Sequence, residues 1–391
     1  MIIIMSVRFN LLAGCESGIV KGIDTTNNGI YVIHKPAETY ADAITLLEWS
    51  LANDEIDYMQ AFIATKKNNI LRFSFAKESI QQIGTIKRAS PLKGLAYLGE
   101  DRFVTCSENG CLSIDRIRNE SLESEIEANA GPDICRLRIN PFNRTHFGTG
   151  GKENDLKIWS IEELMKNEKA KNKAVIFQAK NVRPNTVRLR MPVWVTDFQF
   201  LDERNRCLVV TGHHQIRLYD PQSSARRPVQ EIEFEQCPIM SLALLHSSNN
   251  ERFLVGNTQG EMAQFDLKHL SSIVHKYRGV IGSIRAIETH PTLPLIASAS
   301  IDQYVRIHDA ETHRQISKFF LKSRLTSVLF SSHTIANHEE QNEKPTETNT
   351  DEIENDEVWS QFKRKSTRGP SDRSSSSSNS KKKRKTTVLS E

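Results

Sequence analysis

Apolar positions along the chain fall in short runs, each followed by a turn rich in Gly, Asn and Asp and then by a segment in which apolar and basic residues alternate. Period-two alternation over so few residues predicts β-strands, and the turn residues between them predict hairpins. The clearest copies are GTGGKENDLKIWS (Gly148–Ser160), LVVTGHHQIRLYD (Leu208–Asp220), FLVGNTQGEMAQFD (Phe253–Asp266) and IASASIDQYVRIHD (Ile296–Asp309). Weaker copies are LLAGCESGIVKGID (Leu11–Asp24), FIATKKNNILRFSF (Phe62–Phe75) and FVTCSENGCLSID (Phe103–Asp115). One strand position marked in each copy falls on Ile23, Ser74, Asp115, Trp159, Tyr219, Phe265 and His308. The intervals of roughly 40–60 residues match four-stranded blades, so the expected fold is an all-β, seven-bladed β-propeller.

Blades of this length belong to the WD type. Four copies are preceded by a further apolar strand, ICRLRINP (Ile134–Pro141), WVTDFQFLD (Trp194–Asp202), IMSLALLH (Ile239–His246) and SIRAIETHP (Ser283–Pro291), expected to be innermost. The first copy has only Met1–Arg8 ahead of its run, whereas RLTSVLFSS (Arg324–Ser332) is left over after the seventh. That C-terminal strand, residues 324–332, is therefore expected to complete the first blade and close the ring, which leaves no long open sheet edge. One insertion, Ile161–Ala174, has the composition of a short charged helix and should decorate the turn between the third and fourth strands of blade four. Only Trp159 fills the usual Trp position of such repeats, so stability should rest on apolar packing between blades and be modest.

Charge divides the remainder. Residues 338–357 carry nine Asp/Glu against one Lys, and residues 363–391 carry ten Lys/Arg against two acids. Such blocks repel themselves and have little to bury, so 1–332 reads as the propeller and 333–391 as a disordered, acidic-then-basic tail. The six cysteines include no C-x-x-C pair, which argues against a zinc site or a redox dithiol and for a reducing compartment. The apolar Met1–Met5 lacks the parts of a signal peptide and no run of about 18 apolar residues occurs, so a soluble intracellular protein without membrane contact is expected.

Catalytic constellations are weak. His290, Ser298 and Asp302 occur in the order of a hydrolase triad, but no G-x-S-x-G elbow exists and turn Asp with strand Ser fits turn pinning. His213-His214 has no third ligand at metal spacing, and Gly150-Gly151-Lys152 lacks the rest of a phosphate loop. The expectation is a non-enzyme with no cofactor or metal. Loops that join the second to the third strand, and the fourth strand to the next blade, open on one rim. Lys152, Glu153 and Asn154, the acid-free stretch holding Arg183, Arg188 and Arg190, and His213 with His214 should there form one patch. Its arginines suit RNA phosphates, a protein contact or plain solvation, without aromatics interleaved for base stacking. In the tail, Trp359 and Phe362 either offer one helical turn to a partner's groove or are a chance pair. Lys381, Lys382, Lys383, Arg384 and Lys385 have the composition of a nuclear-import or nucleic-acid patch.

GGKENDLKIW, RLRMPVWVTDFQFL, TGHHQIRLYDP and RRPV, all between Gly150 and Val229, closely resemble the WD repeat-containing protein 74 family. The resemblance extends over the propeller and to the tail's DEVWSQF and KKKRK segments. It implies a nucleolar, non-catalytic scaffold for assembly of the large (60S) ribosomal subunit precursor and for rRNA processing. Implied partners are preribosomal proteins, ribosomal RNA and a nuclear AAA-type ATPase, with the chain a monomer inside a larger complex. A WD-repeat adaptor of another nuclear complex, such as a ubiquitin ligase, is the alternative reading.

Overall fold

The computed structural model describes residues 9–331 apart from short stretches at 37–39, 41, 53–54, 76, 119–120, 167–173, 184–187 and 246–250. Contacts divide the chain into two units, 1–336 and 337–391, and every described residue lies in the first. Trp359, Phe362 and Lys381–Lys385 therefore lie outside the described residues.

The described residues form seven four-stranded antiparallel sheets, one per repeat: a seven-bladed β-propeller. Blade four shows the plan, with Ile134–Ile139 innermost, then His146–Gly151 and Asn154–Ser160, and Val175–Gln178 outermost. In blade one the innermost position is taken by Leu325–Phe330, paired with Leu11–Cys15 in the register Leu11↔Phe330. The two ends of the propeller segment thus share one sheet.

Second and third strands pair in a constant register. The marked residue faces a partner twelve positions earlier in Leu11↔Ile23, Phe103↔Asp115, Phe147↔Trp159, Cys207↔Tyr219, Phe253↔Phe265 and Ile296↔His308. In blade two the twelve-residue pair is Ala61↔Phe73, so Phe73 holds the position and Ser74 is one residue too far. The slip arises because the bulky Phe62 stands out in the sequence although the small, buried Ala61 holds the paired position, and a one-residue shift exchanges the two faces.

Burial follows the ring. Seven apolar clusters each sit between one pair of adjacent blades, for example Phe9, Trp49 and Phe73 between blades one and two, and Val305, Phe319 and Phe330 between seven and one. Within blades the polar pins vary. Trp159 Nε1 donates to Thr149 Oγ1 at 2.9 Å, Asp115 accepts from Thr105 and Ser113 at 2.6 Å each, and the Tyr277 hydroxyl donates to Gln264 at 2.7 Å. Among its described residues, the insertion of blade four forms a helix over Ile161–Lys166. It is more than decoration, since Ile161 and Leu164 are buried against the core of blades three and four.

The fold gives two members of the suspected triad other partners. His290 Nδ1 accepts from the backbone N–H groups of Thr292 and Leu293, closing its own turn. Asp302 accepts from the N–H groups of Tyr304 and Ile281 and pairs with Arg306 at 2.6 Å.

Candidate interaction face

Two kinds of loop open on one face, the turns between second and third strands and the connections between blades. In blade four the turn is Lys152-Glu153. Gly151 before it is required, because a Cβ there would collide with the Asp133 carbonyl, and Glu153 is left-handed at φ 51. The turn anchors the connection to blade five: Glu153 N–H donates to Val193 O at 2.8 Å, and Val193 N–H donates back to the Glu153 carboxylate at 3.3 Å. The arginine-bearing loop is gathered at its base by Asn181, whose side-chain amide donates to Met191 O at 2.6 Å.

This geometry brings together Lys152, Glu153, Arg190 and His213. Arg190 lies 3.7 Å from Glu153, with both side chains exposed. Lys152 Nζ stands 5.9 Å from the ring centre of Trp194, and His213 meets the same ring edge-on at 6.0 Å. Burial, followed by the neighbouring His214 and Arg217, holds His213 below the usual histidine range, so it is neutral at neutral pH. His214, left-handed at φ 55, is directed toward Glu233 at 3.9 Å, away from its neighbour. Arg183 and Arg188 are exposed on the same connection. Asn154 does not join the patch: it is buried, and its amide donates to Ala130 O and Pro132 O at 3.1 Å each, fastening the preceding connection.

Trp194, the hub of this patch, was not among the residues expected from the sequence. Its indole lies against Gly212, where any Cβ would strike the ring. The available signal was an aromatic placed directly between an arginine-rich loop and an inner strand.

A second feature, the charge inside the channel, was also missed. Inner strands send Arg136 and Arg138 from blade four, Asp197 from blade five, Glu48 from blade two and Glu288 from blade seven toward the axis. Asp197, 1% exposed, accepts from Arg138 Nε and Nη2 at 2.9 Å each, from Arg136 Nη2 at 3.3 Å and from the N–H groups of Phe198 and Leu242. Burial alone would raise its pKa, but the two guanidinium groups and the amide outweigh burial and lower it. Burial prevails at the other two carboxyls, pushing Glu48 up to about 7 and Glu288 up to about 8 against the pull of the arginines.

Both groups hold their proton to higher pH when folded than when unfolded, so the folded state binds more protons between the ordinary glutamate range and pH 7–8. Their contribution to stability is full at pH 4 and falls as pH rises through that window. Glu288→Gln, uncharged throughout, is expected to raise the melting temperature by about 2–4 °C at pH 8.5 and by much less at pH 5. Thermal melts at the two pH values check this, and an equal shift at both would contradict the assignment.

Over 376 residues the chain is 30% identical to WD repeat-containing protein 74 of Bos taurus, covering 93% of this chain and 92% of the relative. This chain belongs to the WD repeat-containing protein 74 family. The Homo sapiens member of that family is also 30% identical, over the same share of each chain. A fungal relative, the ribosome biogenesis protein NSA1 of Meyerozyma guilliermondii, is 25% identical over 271 residues, 63% of this chain and 68% of its own length. No protein-family model matches the chain. The match to the WD repeat-containing protein 74 family runs over nearly the full length of both partners, so family membership attaches to the whole ring and not to one blade.

Proposed function

We propose that this protein is a ribosome biogenesis factor, a non-catalytic scaffold in assembly of the large-subunit precursor and in rRNA processing in the nucleolus. The observation that carries this reading is similarity along nearly the whole chain to WD repeat-containing protein 74, joined by similarity to fungal ribosome biogenesis proteins. The propeller occupies residues 1–332. The patch of Lys152, Glu153, Arg183, Arg188, Arg190, His213 and His214 around Trp194 is the contact with preribosomal proteins and ribosomal RNA. Exposed cations flanking one indole suit such a mixed surface, because charge attracts the RNA backbone and the aromatic anchors a protein. A nuclear AAA-type ATPase releases the factor, Trp359 and Phe362 offer a partner motif, and Lys381–Lys385 direct nuclear import.

The test is sedimentation of tagged protein from nuclear extract through a sucrose gradient with and without RNase. Co-migration with large-subunit rRNA precursors that collapses after RNase supports the reading. Migration as a small complex indifferent to RNase, with ligase subunits in place of preribosomal proteins, supports the adaptor alternative. Lys152→Glu combined with Arg188→Glu is expected to deplete the protein from the large particle several-fold. Both side chains are exposed, so the melting temperature should change little. Unchanged sedimentation of the double variant would move the contact elsewhere.

A further inference from the structure

The channel opens on the interaction face through a cavity of about 540 Å³, within the range of sites that enclose small ligands. Two kinds of side chain line it. Five cations from five blades stand around it: Arg324 of blade one, Lys66 of blade two, Lys93 of blade three, Arg136 of blade four and Arg285 of blade seven. Glu16 is the one acidic residue among the described residues of the lining. Between the cations, Leu46, Met240, Ile301 and Trp194 form half-buried apolar walls.

The cations are not equivalent. Arg136 is engaged by Asp197, Arg324 lies 3.7 Å from Glu16, and Lys93 lies 3.4 Å from Glu108. Lys66 and Arg285 are exposed and have no ion pair among the described residues. An apolar cavity with two unpaired cations, Lys66 and Arg285, at its rim favours a ligand that carries negative charge around an apolar centre.

We propose that this mouth binds an acidic peptide segment of a partner protein, with one large apolar side chain seated among Leu46, Met240, Ile301 and Trp194 and flanking carboxylates on Lys66 and Arg285. An RNA strand carries the same charge but fits the cavity worse. A nucleobase inserted between aliphatic walls would leave its polar edge without hydrogen bonds. The single indole also has one side already against Gly212. The site adjoins the patch at Trp194, but it does not depend on the ribosomal reading, and sedimentation could fail with this proposal intact.

The experiment is fluorescence anisotropy on the full chain with three labelled probes: a nonapeptide of eight glutamates around a central phenylalanine, the same peptide with serine at its centre, and deca-uridine. Each is titrated against the native protein and against Lys66→Glu combined with Arg285→Glu. Basic residues at 381–385 can attract all three probes, so the readout is the loss caused by the double variant. The phenylalanine peptide should bind the native protein at least fivefold more tightly than the serine peptide. It should lose at least tenfold in the double variant, whose melting temperature stays unchanged, while deca-uridine loses less than twofold. Equal binding of the two peptides, no loss in the variant, or an equal or larger loss for deca-uridine overturns the proposal. If the double variant does not fold, Lys66→Glu alone carries the same comparison with an expected loss of at least threefold.

Discussion

Deletion of residues 324–332 is expected to abolish cooperative folding. Leu325–Phe330 lines the first blade on its inner side, and its side chains serve two interfaces: Leu329 packs between blades one and two, while Leu325, Val328 and Phe330 pack between seven and one. All four are buried. At ~1.5–3 kcal/mol for each large apolar side chain taken from water, the loss is roughly 6–12 kcal/mol. Whole domains are stable by only ~5–15 kcal/mol. The deletion also strips Leu11–Cys15 of one hydrogen-bonded neighbour and opens an apolar edge in the middle of the ring. Circular dichroism melts and size-exclusion chromatography of the deletion variant check this. A monomer that still melts cooperatively near the native temperature would show that the ring closes by other means.

Asp197→Ala is the second large effect. The carboxylate is enclosed, and it receives two arginines and two backbone N–H groups. Its removal leaves Arg136 and Arg138 in the channel without their hydrogen-bonded ion-pair partner and leaves the Phe198 and Leu242 amides without that acceptor. Breaking one member of a buried ion pair costs ~3–5 kcal/mol, and the partial exposure of the arginines places the expected cost near the lower figure. At 2–4 °C per kcal/mol, the melting temperature should fall by roughly 6–12 °C. Arg136→Met with Arg138→Met in the Asp197→Ala background should recover much of the loss, because the penalty comes from uncompensated charge. A triple variant no better than the single one would show that lost packing is responsible.

Low stability of Asp197→Ala would also separate structure from contact on the interaction face. Lys152→Glu with Arg188→Glu changes exposed groups and is expected to alter association alone. Asp197 lies beneath that face, so its variant changes association only through the fold.

Legibility differed between the levels of structure. The seven hairpins could be read from the chain because alternation and turn residues act within a dozen positions. The closing strand could be read because one strand was left unpaired in the count. The inner strands of blades two and three, Ile44–Ala52 and Leu92–Gly99, were not singled out. In Leu92–Gly99 the apolar pattern is broken by Gly94, which the fold requires because blade four's Leu137 comes close enough to collide with any Cβ there. That contact spans 43 positions and leaves no local trace.

The site shows the same division. Lys152, Arg190 and His213 were placed on one rim by the topology of blades alone, because equivalent turns repeat on one face. The inward turn of Asn154 was decided by carbonyls at Ala130 and Pro132 in the preceding connection. The role of Trp194 depended on Gly212, and the charged channel on arginines of one blade meeting an aspartate of the next. Local periodicity determined which segments are strands, how many blades they make and where the chain closes, since those follow from backbone hydrogen bonding and the burial of alternate side chains. Only the closed ring decided which polar residues face solvent and which face each other across the channel, because blade-to-blade approach fixes those distances between residues far apart in the chain.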